Sequence, residues 1–338
     1  MTAPIVLAVD GGNSKTDLAL VAADGAVLSL VRGPLSSPHH LGLDGCLEVL
    51  ERLHDDALTD AGLTRGDEPV AEVGVLRMAG VDFPAEEQAL HERVTELGWA
   101  KRVSVGNDTF ALLRAGTERG WGVAVVCGAG INCVGVAPDG RHVRFPALGE
   151  ITGDWGGGYD VGMAAVSAAA RSEDGRGPRT SLERSVPTHF GLGTPLELAE
   201  AFHLGAIPRR RVLELARLVF AEAADDAVAA GIVARLAAEV VALARAAVTR
   251  LELTQEPVEV LLGGGLLKDA DGPLLGEIAA GLALVGSRIT VHPTASAPVV
   301  GAALLGLDEL GSGAEAQERV RRELSRSELR GIRIGADG

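Results

Sequence analysis

The turn after the first apolar strand carries residue types that can bind phosphate. Asp10-Gly11-Gly12-Asn13-Ser14-Lys15-Thr16 separates two apolar, β-branched runs. Glycines there would let consecutive backbone N–H groups approach phosphate oxygens, and Asp10 at the strand end could hold a hydrated Mg²⁺ ion. The spacing of a Walker P-loop is absent, because a strand rather than a helix follows. An ordinary hairpin turn would also use Gly and Asn, since both tolerate positive φ.

A second glycine turn, Gly128-Ala129-Gly130, repeats this arrangement later in the chain. The strands around it resemble the first three-stranded meander, and the hairpin signal Asp24-Gly25 returns at Asp139-Gly140, 115 residues later. This self-similarity indicates that one supersecondary unit has been duplicated. Two such turns on duplicated units would face one another across an interdomain cleft, which is a preferred place for ligands.

Asp108 is the candidate for proton transfer. It follows a predicted strand and precedes a predicted helix, so its carboxylate would lie at a helix N-terminus. A carboxylate in that place can accept the proton of a hydroxyl group that attacks a phosphorus atom, which is the general-base role in phosphoryl transfer. Aspartate is also a preferred N-cap residue, so position alone leaves the catalytic and the capping interpretation open.

Two further glycine-rich segments could admit a ligand close to the backbone. Gly153-Asp154-Trp155-Gly156-Gly157-Gly158 precedes a predicted helix, and Asp154 there could orient a second substrate or a metal ion. Gly263-Gly264-Gly265 lies between a late strand and a helix, where adenine and ribose could pack against bare backbone. The alternatives are a glycine-rich connector and a tight βα turn. His39, in the loop after the first meander, is equally compatible with a ligand contact and with a surface position.

The elements that would position these residues follow an α/β order. Each meander is followed by helical patterns that alternate with short strands, which predicts a mixed sheet in each half. A capping box at Thr194 predicts one helix, and alanine-rich helices are predicted over Pro208–Thr249. The polar segment Ser172–Phe190 is predicted to be a mobile insertion. The charged residues Gly311–Gly338 are predicted to form a solvated tail, which could be a helix with a frayed end.

Composition restricts the class of protein. A chain of 338 residues predicts two hydrophobic cores. A net charge of −15 disfavours a nucleic-acid or anionic-membrane partner, because both would require a basic face. Met1–Asp10 has no basic run before its apolar residues, and no uninterrupted apolar run reaches the roughly 18 to 20 residues of a membrane span. We therefore expect a cytoplasmic protein. Its three cysteines have no C-x-x-C spacing and predict neither disulfides nor a zinc site.

Five motifs together resemble those of the BadF/BadG/BcrA/BcrD ATPase family, and within it those of the N-acetylglucosamine kinases. They occur in the family's order, and the ordered set is more specific than any one motif. The motifs are V-D-G-G-N-S-K-T-D at Val9–Asp17, G-N-D-T at Gly106–Thr109, C-G-A-G-I-N-C at Cys127–Cys133, G-D-W-G-G-G at Gly153–Gly158 and L-G-G-G at Leu262–Gly265.

This resemblance implies an actin-like ATPase fold, in which two ribonuclease-H-like α/β domains surround a central cleft. It implies an N-terminal domain over residues 1–118 with a returning helix at about 297–310, a C-terminal domain over 119–296 with helical insertions, and a charged tail over 311–338. The implied ligands are ATP, Mg²⁺ and a small-molecule sugar, and the protein is expected to be a homodimer.

The resemblance also distributes roles among the candidate residues. Asp108 matches the catalytic aspartate, and Asp10 is the expected Mg²⁺ residue. The expected nucleotide contacts are Gly11, Gly12, Asn13, Ser14, Lys15 and Thr16, then Gly128, Ala129 and Gly130, and finally Gly263, Gly264 and Gly265. The expected contacts with the acceptor sugar are Asn107, Asp108, Asn132, Asp154 and His39.

The implied activity is transfer of the γ-phosphoryl group of ATP to a hydroxyl, expected to be the 6-OH, of N-acetylglucosamine. The family commonly has Asp-Glu-Gly where this chain has Asp154-Trp155-Gly156, and a polar residue is replaced near Pro38. Glucosamine, N-acetylmannosamine, N-acetylmuramic acid and other hexoses therefore stay open as acceptors. A dehydratase-activator type of ATPase switch would need cysteine ligands for an iron–sulfur cluster, and Cys127 and Cys133 instead bracket a phosphate turn. A sugar-responsive regulator would need a DNA-binding extension that this sequence lacks.

Overall fold

The computed structural model describes residues 4–268, 272–294, 296–329 and 333–334. The chain forms two compact units. Unit 1 comprises Met1–Trp121 and Ala295–Gly338, and unit 2 comprises Gly122–Thr294. Each unit is an α/β structure with its own sheet, so the predicted fold class is confirmed.

The strands alternate with helices along the chain as the sequence predicts. In chain order they are β1 (Pro4–Gly11), β2 (Thr16–Ala22), β3 (Val27–Gly33), β4 (Ala71–Met78), β5 (Ala100–Asn107), β6 (Gly122–Cys127), β7 (Ile131–Val136), β8 (His142–Arg144), β9 (Glu259–Gly263), β10 (Thr290–Pro293) and β11 (Arg333–Ile334).

The helices are of very different lengths. In chain order they are α1 (Pro38–Asp60), α2 (Pro84–Glu96), α3 (Asp108–Gly116), α4 (Gly157–Glu173), α5 (Leu182–His189), α6 (Pro195–His203), α7 (Leu215–Glu222), α8 (Ala227–Arg250), α9 (Gly272–Ala283), α10 (Pro298–Glu309) and α11 (Ala314–Leu329). Two short 3₁₀ segments, Gly149–Ile151 and Arg209–Glu214, precede α4 and α7.

The two sheets repeat one topology. The strand order is β3-β2-β1-β4-β5 in unit 1, with β11 added beside β3, and β8-β7-β6-β9-β10 in unit 2. In both sheets the first three strands are antiparallel neighbours, and the next two run parallel to the first. The predicted duplication is therefore confirmed, and it places the two glycine turns at equivalent points, between the first and second strand of each sheet.

Both faces of the unit 1 sheet are covered. Along β1, Leu7 and Val9 belong to one apolar cluster with α1 and α2, whereas Val6 and Ala8 belong to a second cluster with α10 and α11. This alternation follows from the two-residue period of a strand. Gly301 on α10 allows close contact with α3, because a Cβ there would lie 1.8 Å from the Ala111 carbonyl oxygen.

The prediction of a solvated C-terminal tail is wrong for the described residues. Helix α11 buries Ala316, Val320 and Leu324 in the second apolar cluster of unit 1. The guanidinium of Arg321 also donates to the backbone carbonyls of Arg114 and Thr117. Charge-rich composition misled the prediction, because the apolar residues at four-residue spacing form a narrow stripe among many charges.

The prediction of an irregular, mobile insertion over Ser172–Phe190 is also wrong, since residues 182–189 form α5. Leu182 and Val186 on this helix are fully buried in unit 2. Asp226 accepts hydrogen bonds from the hydroxyl of Thr180 and the backbone N–H of Ser181, which holds the connection before α5 in place. The polar residues that suggested a loop are the residues that fix this connection.

Helix α8 is long and apolar enough, by length and composition, to cross a membrane, with a mean hydropathy of 1.9 over its best 18-residue window. Arg235 and Glu239 interrupt its apolar run, in agreement with the sequence analysis, which found no uninterrupted apolar run of that length. The helix buries Ile232, Leu236 and Val240 within unit 2. A core helix can pass the same length and hydropathy test, so this helix is weak evidence for a membrane span.

Candidate functional site

The first turn, residues 12–15, is a tight connection whose tip is exposed. The N–H of Gly12 donates to the Lys15 carbonyl over 2.9 Å, and Asn13 and Ser14 between them are exposed. A Cβ on Gly11 would lie 2.3 Å from the sulfur of Met78, so the side chain of Met78 would have to move to admit a larger residue there. The turn therefore presents its backbone outward while its first residue packs against β4.

Behind this turn, Asp17 organises two cations. Its buried carboxylate receives a bidentate pair from Arg32, with Nε–Oδ1 at 2.5 Å and Nη2–Oδ2 at 2.8 Å. The Nζ of Lys15 lies 2.9 Å from Oδ2 of the same carboxylate, and the Lys15 side chain is partly exposed. Asp17 thus fixes the position of the lysine that the sequence assigned to phosphate. The sequence analysis gave Asp17 and Arg32 no role, although Asp17 closes the first motif.

Asp10 is a buried carboxylate beside other negative charges. Burial first, and then the like charges of Asp108 and Asp17, raise the pKa of Asp10 well above its ordinary value, while Lys15 and Arg32 oppose the shift. A buried carboxylate next to a second carboxylate is unfavourable when ionised, and a bound cation would relieve that cost. Asp10 therefore has the electrostatic environment of a residue that holds a metal ion.

The structure turns the side chain of Thr16 into the fold. The residue is fully buried, its Oγ1 donates to the Pro34 carbonyl over 2.8 Å, and the same oxygen lies 2.7 Å from Oγ of Ser36. This hydroxyl ties β2 to the segment before α1. A side-chain contact between Thr16 and a nucleotide, as the sequence analysis expected, would require these bonds to break.

The sequence left open whether Asp108 caps α3 or acts in catalysis, and the structure shows that the neighbouring Asn107 is the cap. The N-cap of α3 is Asn107, whose Oδ1 accepts from the N–H of Thr109 over 3.1 Å and from its hydroxyl over 2.5 Å. Asp108 is the first helical residue and is only partly buried. The N-cap interpretation of Asp108 is therefore wrong, and its carboxylate is not required to cap the helix.

Asn107 itself is largely committed to the fold. The residue is 1% exposed, and its Nδ2 donates to Oδ1 of Asp82 over 2.8 Å. Both ends of its amide are therefore used within unit 1. This geometry disfavours the sugar contact expected for Asn107 and makes it a residue that positions Asp108.

His39 lies in the short first turn of α1, which begins at Pro38. Gly42, with φ at 69°, joins this turn to the longer part of the helix. Its Nε2 is 3.5 Å from Oε1 of Glu86, and its side chain is about half exposed. The ring packs beside Gly80, where an added Cβ would lie 3.1 Å from Cγ of His39. His39 is accessible, so a ligand contact stays possible for this residue.

Three glycine segments of unit 2 that are far apart in the sequence converge around the buried Cys127. The N–H groups of Gly158 and Tyr159, at the start of α4, donate to the carbonyls of Gly128 and Ala129 over 2.8 and 2.9 Å. A Cβ on Gly157 would lie 2.4 Å from the Gly130 carbonyl oxygen. These contacts join the second phosphate motif to the G-D-W-G-G-G motif.

The third segment closes on the same point. Gly264 has φ at +83°, and a Cβ on it would lie 2.3 Å from the carbonyl oxygen of Cys127. That carbonyl accepts from the N–H of Leu266 over 3.2 Å. The late glycine turn therefore packs directly against the end of β6, so the three glycine segments that the sequence analysis singled out lie close together in unit 2.

The same segments leave an open surface. Ideal Cβ atoms on Gly128, Gly130 and Gly265 would meet nothing within 4 Å. Among the described residues, no hydrogen bond to the N–H of Ala129 or Gly130 is found. Exposed backbone amides beside open space can bind phosphate oxygens. The N–H groups of the turn 128–130 are therefore accessible to an anion.

The difference between Gly264 and Gly265 leads to a prediction about stability. Gly264→Ala should lower the free energy of unfolding by about 2 kcal/mol or more, because it combines positive φ with a clash against backbone. Gly265→Ala is the matched control and should leave the unfolding free energy within about 0.5 kcal/mol. Chemical denaturation of both variants measures the difference, and equal values would contradict the packing described for Gly264.

A cavity of about 580 Å³ in unit 2 adjoins the third glycine segment. Gly265 and Leu266 form one wall, and α7 and α9 contribute Phe220 and Pro273. Its size and its largely apolar lining fit a heteroaromatic base. The sequence analysis missed the residues from α7, because nothing in their local pattern relates them to a turn that comes far later in the chain.

The two residues of unit 2 that are expected to meet the acceptor, Asn132 and Asp154, belong to different segments. Asn132 is on β7, and its Oδ1 accepts from the N–H of Cys133 over 2.7 Å. Asp154 lies in the loop before α4 and accepts a hydrogen bond from the hydroxyl of Thr152. The ring of Trp155 packs under the guanidinium of Arg235 at 4.0 Å, which occupies one face of the indole.

No group of three or more metal-ligating side chains occurs in the described part of the chain. This fits Mg²⁺, which usually takes one or two protein carboxylates and completes its shell with water and phosphate oxygens. The charge environment of Asp10 next to Asp108 supplies that kind of site. The residues present are therefore compatible with a nucleotide-bound Mg²⁺ ion.

Comparison with known proteins agrees with the motifs. Residues 7–306 match the sequence profile of the BadF/BadG/BcrA/BcrD ATPase family. The chain is 28% identical over 266 residues to an N-acetylmuramic acid/N-acetylglucosamine kinase of Clostridium acetobutylicum, covering 78% of this chain and 86% of that protein. It is 30% identical over 188 residues to an N-acetyl-D-glucosamine kinase of Dictyostelium discoideum, covering 54% of this chain and 59% of that protein.

Solved structures show the same fold. A Chromobacterium violaceum protein proposed to be an N-acetylglucosamine kinase superposes with a TM-score of 0.69 at 24% identity, covering 90% of this chain and 99% of that one. The ROK hexokinase of Thermus thermophilus superposes with a TM-score of 0.51 at 19% identity, covering 91% and 99%. Because the family profile matches most of its length, the chain belongs to the BadF/BadG/BcrA/BcrD ATPase family.

Proposed function

We propose that this protein is an ATP-dependent sugar kinase that transfers the γ-phosphoryl group of ATP to a hydroxyl of N-acetylglucosamine. The observation that carries the proposal is the environment of Asp108. Asn107 caps α3, so Asp108 is not the capping residue, and Asp108 is only partly buried. Its negative charge contributes to the raised pKa of the buried Asp10. A carboxylate at this position can accept the proton of the attacking hydroxyl.

The nucleotide roles follow from the two glycine turns. The open amides of the turn 128–130 bind phosphate oxygens, and the cavity beside Gly265 receives the adenine. Lys15, held by Asp17, contributes positive charge at the first turn. Asp10 would hold Mg²⁺, and the bound ion would offset negative charge on the phosphates. Most of the catalysis then comes from positioning and electrostatic stabilisation.

The choice of N-acetylglucosamine rests on the names of the two relatives, both of which act on that sugar. Asn132 and Asp154 contact the acceptor in this proposal, and His39 contributes from the start of α1. The reacting hydroxyl is the 6-OH. N-acetylmuramic acid is the second acceptor to test, because the Clostridium acetobutylicum relative is named for both sugars.

A coupled assay of ADP release, run with a panel of acceptors, tests the proposal. The panel contains N-acetylglucosamine, N-acetylmuramic acid, N-acetylmannosamine, glucosamine and glucose, each with and without Mg²⁺. We expect the highest kcat/KM for N-acetylglucosamine, and phosphorus–carbon couplings in the NMR spectrum of the product should place the phosphate on C6. Release of ADP that does not depend on any acceptor would argue against a kinase.

The reactivity of the cysteines distinguishes a kinase from an ATPase switch that holds an iron–sulfur cluster. All three are buried, and burial raises the pKa of the Cys46 and Cys127 thiols to about 12 and also raises that of Cys133. We expect the folded protein to react with Ellman's reagent at pH 8 at least ~100-fold more slowly than the unfolded protein, because thiolates are scarce and inaccessible. Anaerobically purified protein should also show no charge-transfer bands near 400 nm. A brown, cluster-containing protein would instead support the switch.

We also propose that the protein is a cytoplasmic homodimer. Residues 4–11 form strand β1 inside the unit 1 sheet, so they are part of the folded unit. Leu196 on α6, Leu204 directly after α6 and Leu284 directly after α9 are exposed apolar side chains that a second copy could cover. Light scattering coupled to size-exclusion chromatography measures the mass, and a monomer at micromolar concentration would refute the dimer.

A further inference from the structure

A cavity of about 330 Å³ lies in unit 2 between α4, α6 and the 3₁₀ segment 209–214. Its lining comprises Met163, Val166, Ala199, Phe202, His203 and Arg209. Its volume is at the small end of the range of ligand sites, about 300–1,000 Å³. The described residues of this lining include none of those that line the cavity beside Gly265, so the place proposed for adenine is a different one.

The lining combines an apolar wall with two side chains that donate hydrogen bonds. Four of its six described residues are apolar, the other two are His203 and Arg209, and none of the six is acidic. The chain as a whole has 46 acidic and 31 basic residues, so a lining without carboxylates runs against its average composition. The side chains present therefore suit a ligand that has both an apolar body and a negatively charged group.

The guanidinium of Arg209 is available to such a ligand. The residue is exposed, and in the described part of the chain no hydrogen bond or ion pair engages its side chain. Arg211 differs, because its Nε lies 2.7 Å from Oε1 of Glu214, and the same carboxylate is 3.0 Å from Nε2 of His189. A guanidinium offers five donors and no acceptor, and its geometry matches a carboxylate or a phosphate.

Two walls of the cavity belong to elements close to the turn 128–130. Helix α4 forms one wall, and the N–H of Gly158 at its start donates to the Gly128 carbonyl over 2.8 Å. The 3₁₀ segment before α7 packs closely on the same helix, because a Cβ on Gly162 would lie 2.1 Å from the Val212 carbonyl oxygen. An occupant of the cavity therefore contacts the helix that is bonded to this turn.

We propose that this cavity binds a small organic anion, with its carboxylate or phosphate at Arg209 and a short apolar body between α4 and α6. The ring of His203, which offers an N–H donor in either tautomer, is the second polar group of the site. The apolar body covers Val166 and Phe202. The inference does not depend on the proposed kinase activity, because neither the nucleotide nor the acceptor sugar is assigned to this cavity.

Methionine methyl signals in an NMR spectrum test this proposal without turnover. The chain has three methionines, so protein labelled with ¹³C at the methionine methyl groups gives few signals. Met163 lines the cavity, and Met163→Leu assigns its signal. Met78, which lies beside Gly11 in unit 1, is the internal control. Nucleotide-free protein is titrated separately with hexanoate, hexyl phosphate, hexanol, hexylammonium and acetate.

These probes separate the contribution of charge from that of apolar contact. We expect a saturable shift of the Met163 signal with hexanoate and with hexyl phosphate, and the one that binds more tightly identifies the preferred anion. Hexanol and hexylammonium lack the negative charge and should bind at least ~10-fold more weakly. Acetate lacks the apolar body and should also bind at least ~10-fold more weakly. The Met78 signal should not move.

Two neighbouring arginines supply a matched pair of variants. Arg209→Gln should raise the dissociation constant of hexanoate at least ~10-fold and leave that of hexanol within about 2-fold, because only the charged contact is lost. Arg210→Gln is the control, since Arg210 is also exposed but is not part of the described lining, and it should behave as the parent protein. Ala199→Phe places a larger side chain in the cavity and should abolish the response to both probes.

Four results would contradict the inference. They are equal dissociation constants for hexanoate and hexanol, an unchanged titration in Arg209→Gln, an equal loss of affinity in Arg210→Gln, and the absence of a saturable Met163 shift with either anion. A Met163 signal that changes on dilution of the protein and responds to no probe would show instead that a second copy covers the cavity. None of these readouts requires ATP, so failure of this inference leaves the kinase proposal intact, and the reverse also holds.

Discussion

Asp108→Asn is expected to lower kcat for sugar phosphorylation by roughly 10²–10⁴-fold, the usual contribution of a general base. Asparagine has nearly the same shape but cannot accept the proton of the attacking hydroxyl. The affinity for ATP should stay within about 3-fold of the parent value, because the open amides of the turn 128–130 are unchanged. Steady-state kinetics and calorimetric titration with a non-hydrolysable ATP analogue measure the two quantities.

Asp139→Asn is the matched control for this change. Asp139 lies in the hairpin turn of the second meander, where it pairs with Arg141 on the surface. This variant should retain full activity. Thermal unfolding must also show that Asp108→Asn is folded, since removing a negative charge from the first turn of α3 costs only about 0.3–1 kcal/mol. Full activity in a folded Asp108→Asn protein would remove Asp108 from the mechanism.

Asp10→Asn is expected to have opposite effects on stability and on activity. The nucleotide-free protein should gain about 0.5–2 kcal/mol of unfolding free energy, the usual gain when a strained functional site is relieved. The physical reason is that the variant removes a buried charge that burial, Asp108 and Asp17 disfavour. Mg²⁺-dependent turnover should fall at least ~100-fold, because the remaining amide cannot hold the hydrated cation as a carboxylate does.

The size of the stability gain from Asp10→Asn should depend on pH. Folding raises the pKa of Asp10, so the ionised carboxylate costs folding free energy once the pH exceeds the unfolded value, and the full cost is present above the folded value. With EDTA present, the stability gain of Asp10→Asn should be small near pH 4 and should increase as pH rises. Denaturation curves at several pH values measure this, and a gain that falls with pH would contradict the charge environment described here.

Asp17→Asn provides the contrasting variant. Asp17 is also a buried aspartate of the first motif, but it accepts two bonds from Arg32 and one from Lys15. Its neutralisation should destabilise the protein by about 2 kcal/mol or more, because two cations lose their buried partner. Two nearby aspartates would then give opposite stability changes, and the same sign for both would show that their neighbours do not control the outcome.

Much of the architecture follows from local sequence patterns. Alternating apolar residues with Asp-Gly turns predict both meanders, and the recurrence of Asp24-Gly25 at Asp139-Gly140 predicts the duplicated sheet that the structure confirms. The capping box at Thr194 is present as predicted, with its Oγ1 accepting from the N–H of Glu197. These features depend on residues that are close in the sequence, where turn chemistry and periodicity act directly.

Composition predicted the structure less well in segments where only a few apolar residues are buried. Helix α5 and the burial of α11 were not predicted, because each helix has a thin apolar stripe within a polar segment. Whether such a stripe is buried depends on the surface that it meets. For Val320 that surface belongs to strands at the other end of the chain, which no local pattern around α11 indicates.

By itself, the sequence determined the duplicated α/β design, the strand-end position of Asp108 and the set of glycine segments to inspect. Only the tertiary structure decided that Asn107 caps α3, that Thr16 points inward and that Gly157 and Gly264 pack near Cys127 and its turn. The physical reason is that turns and periodicity are set by neighbouring residues, whereas these roles come from hydrogen bonds and close packing. Some of those contacts join residues that are far apart in the chain. Others decide which of two neighbours with similar N-cap propensity caps a helix, as with Asn107 and Asp108.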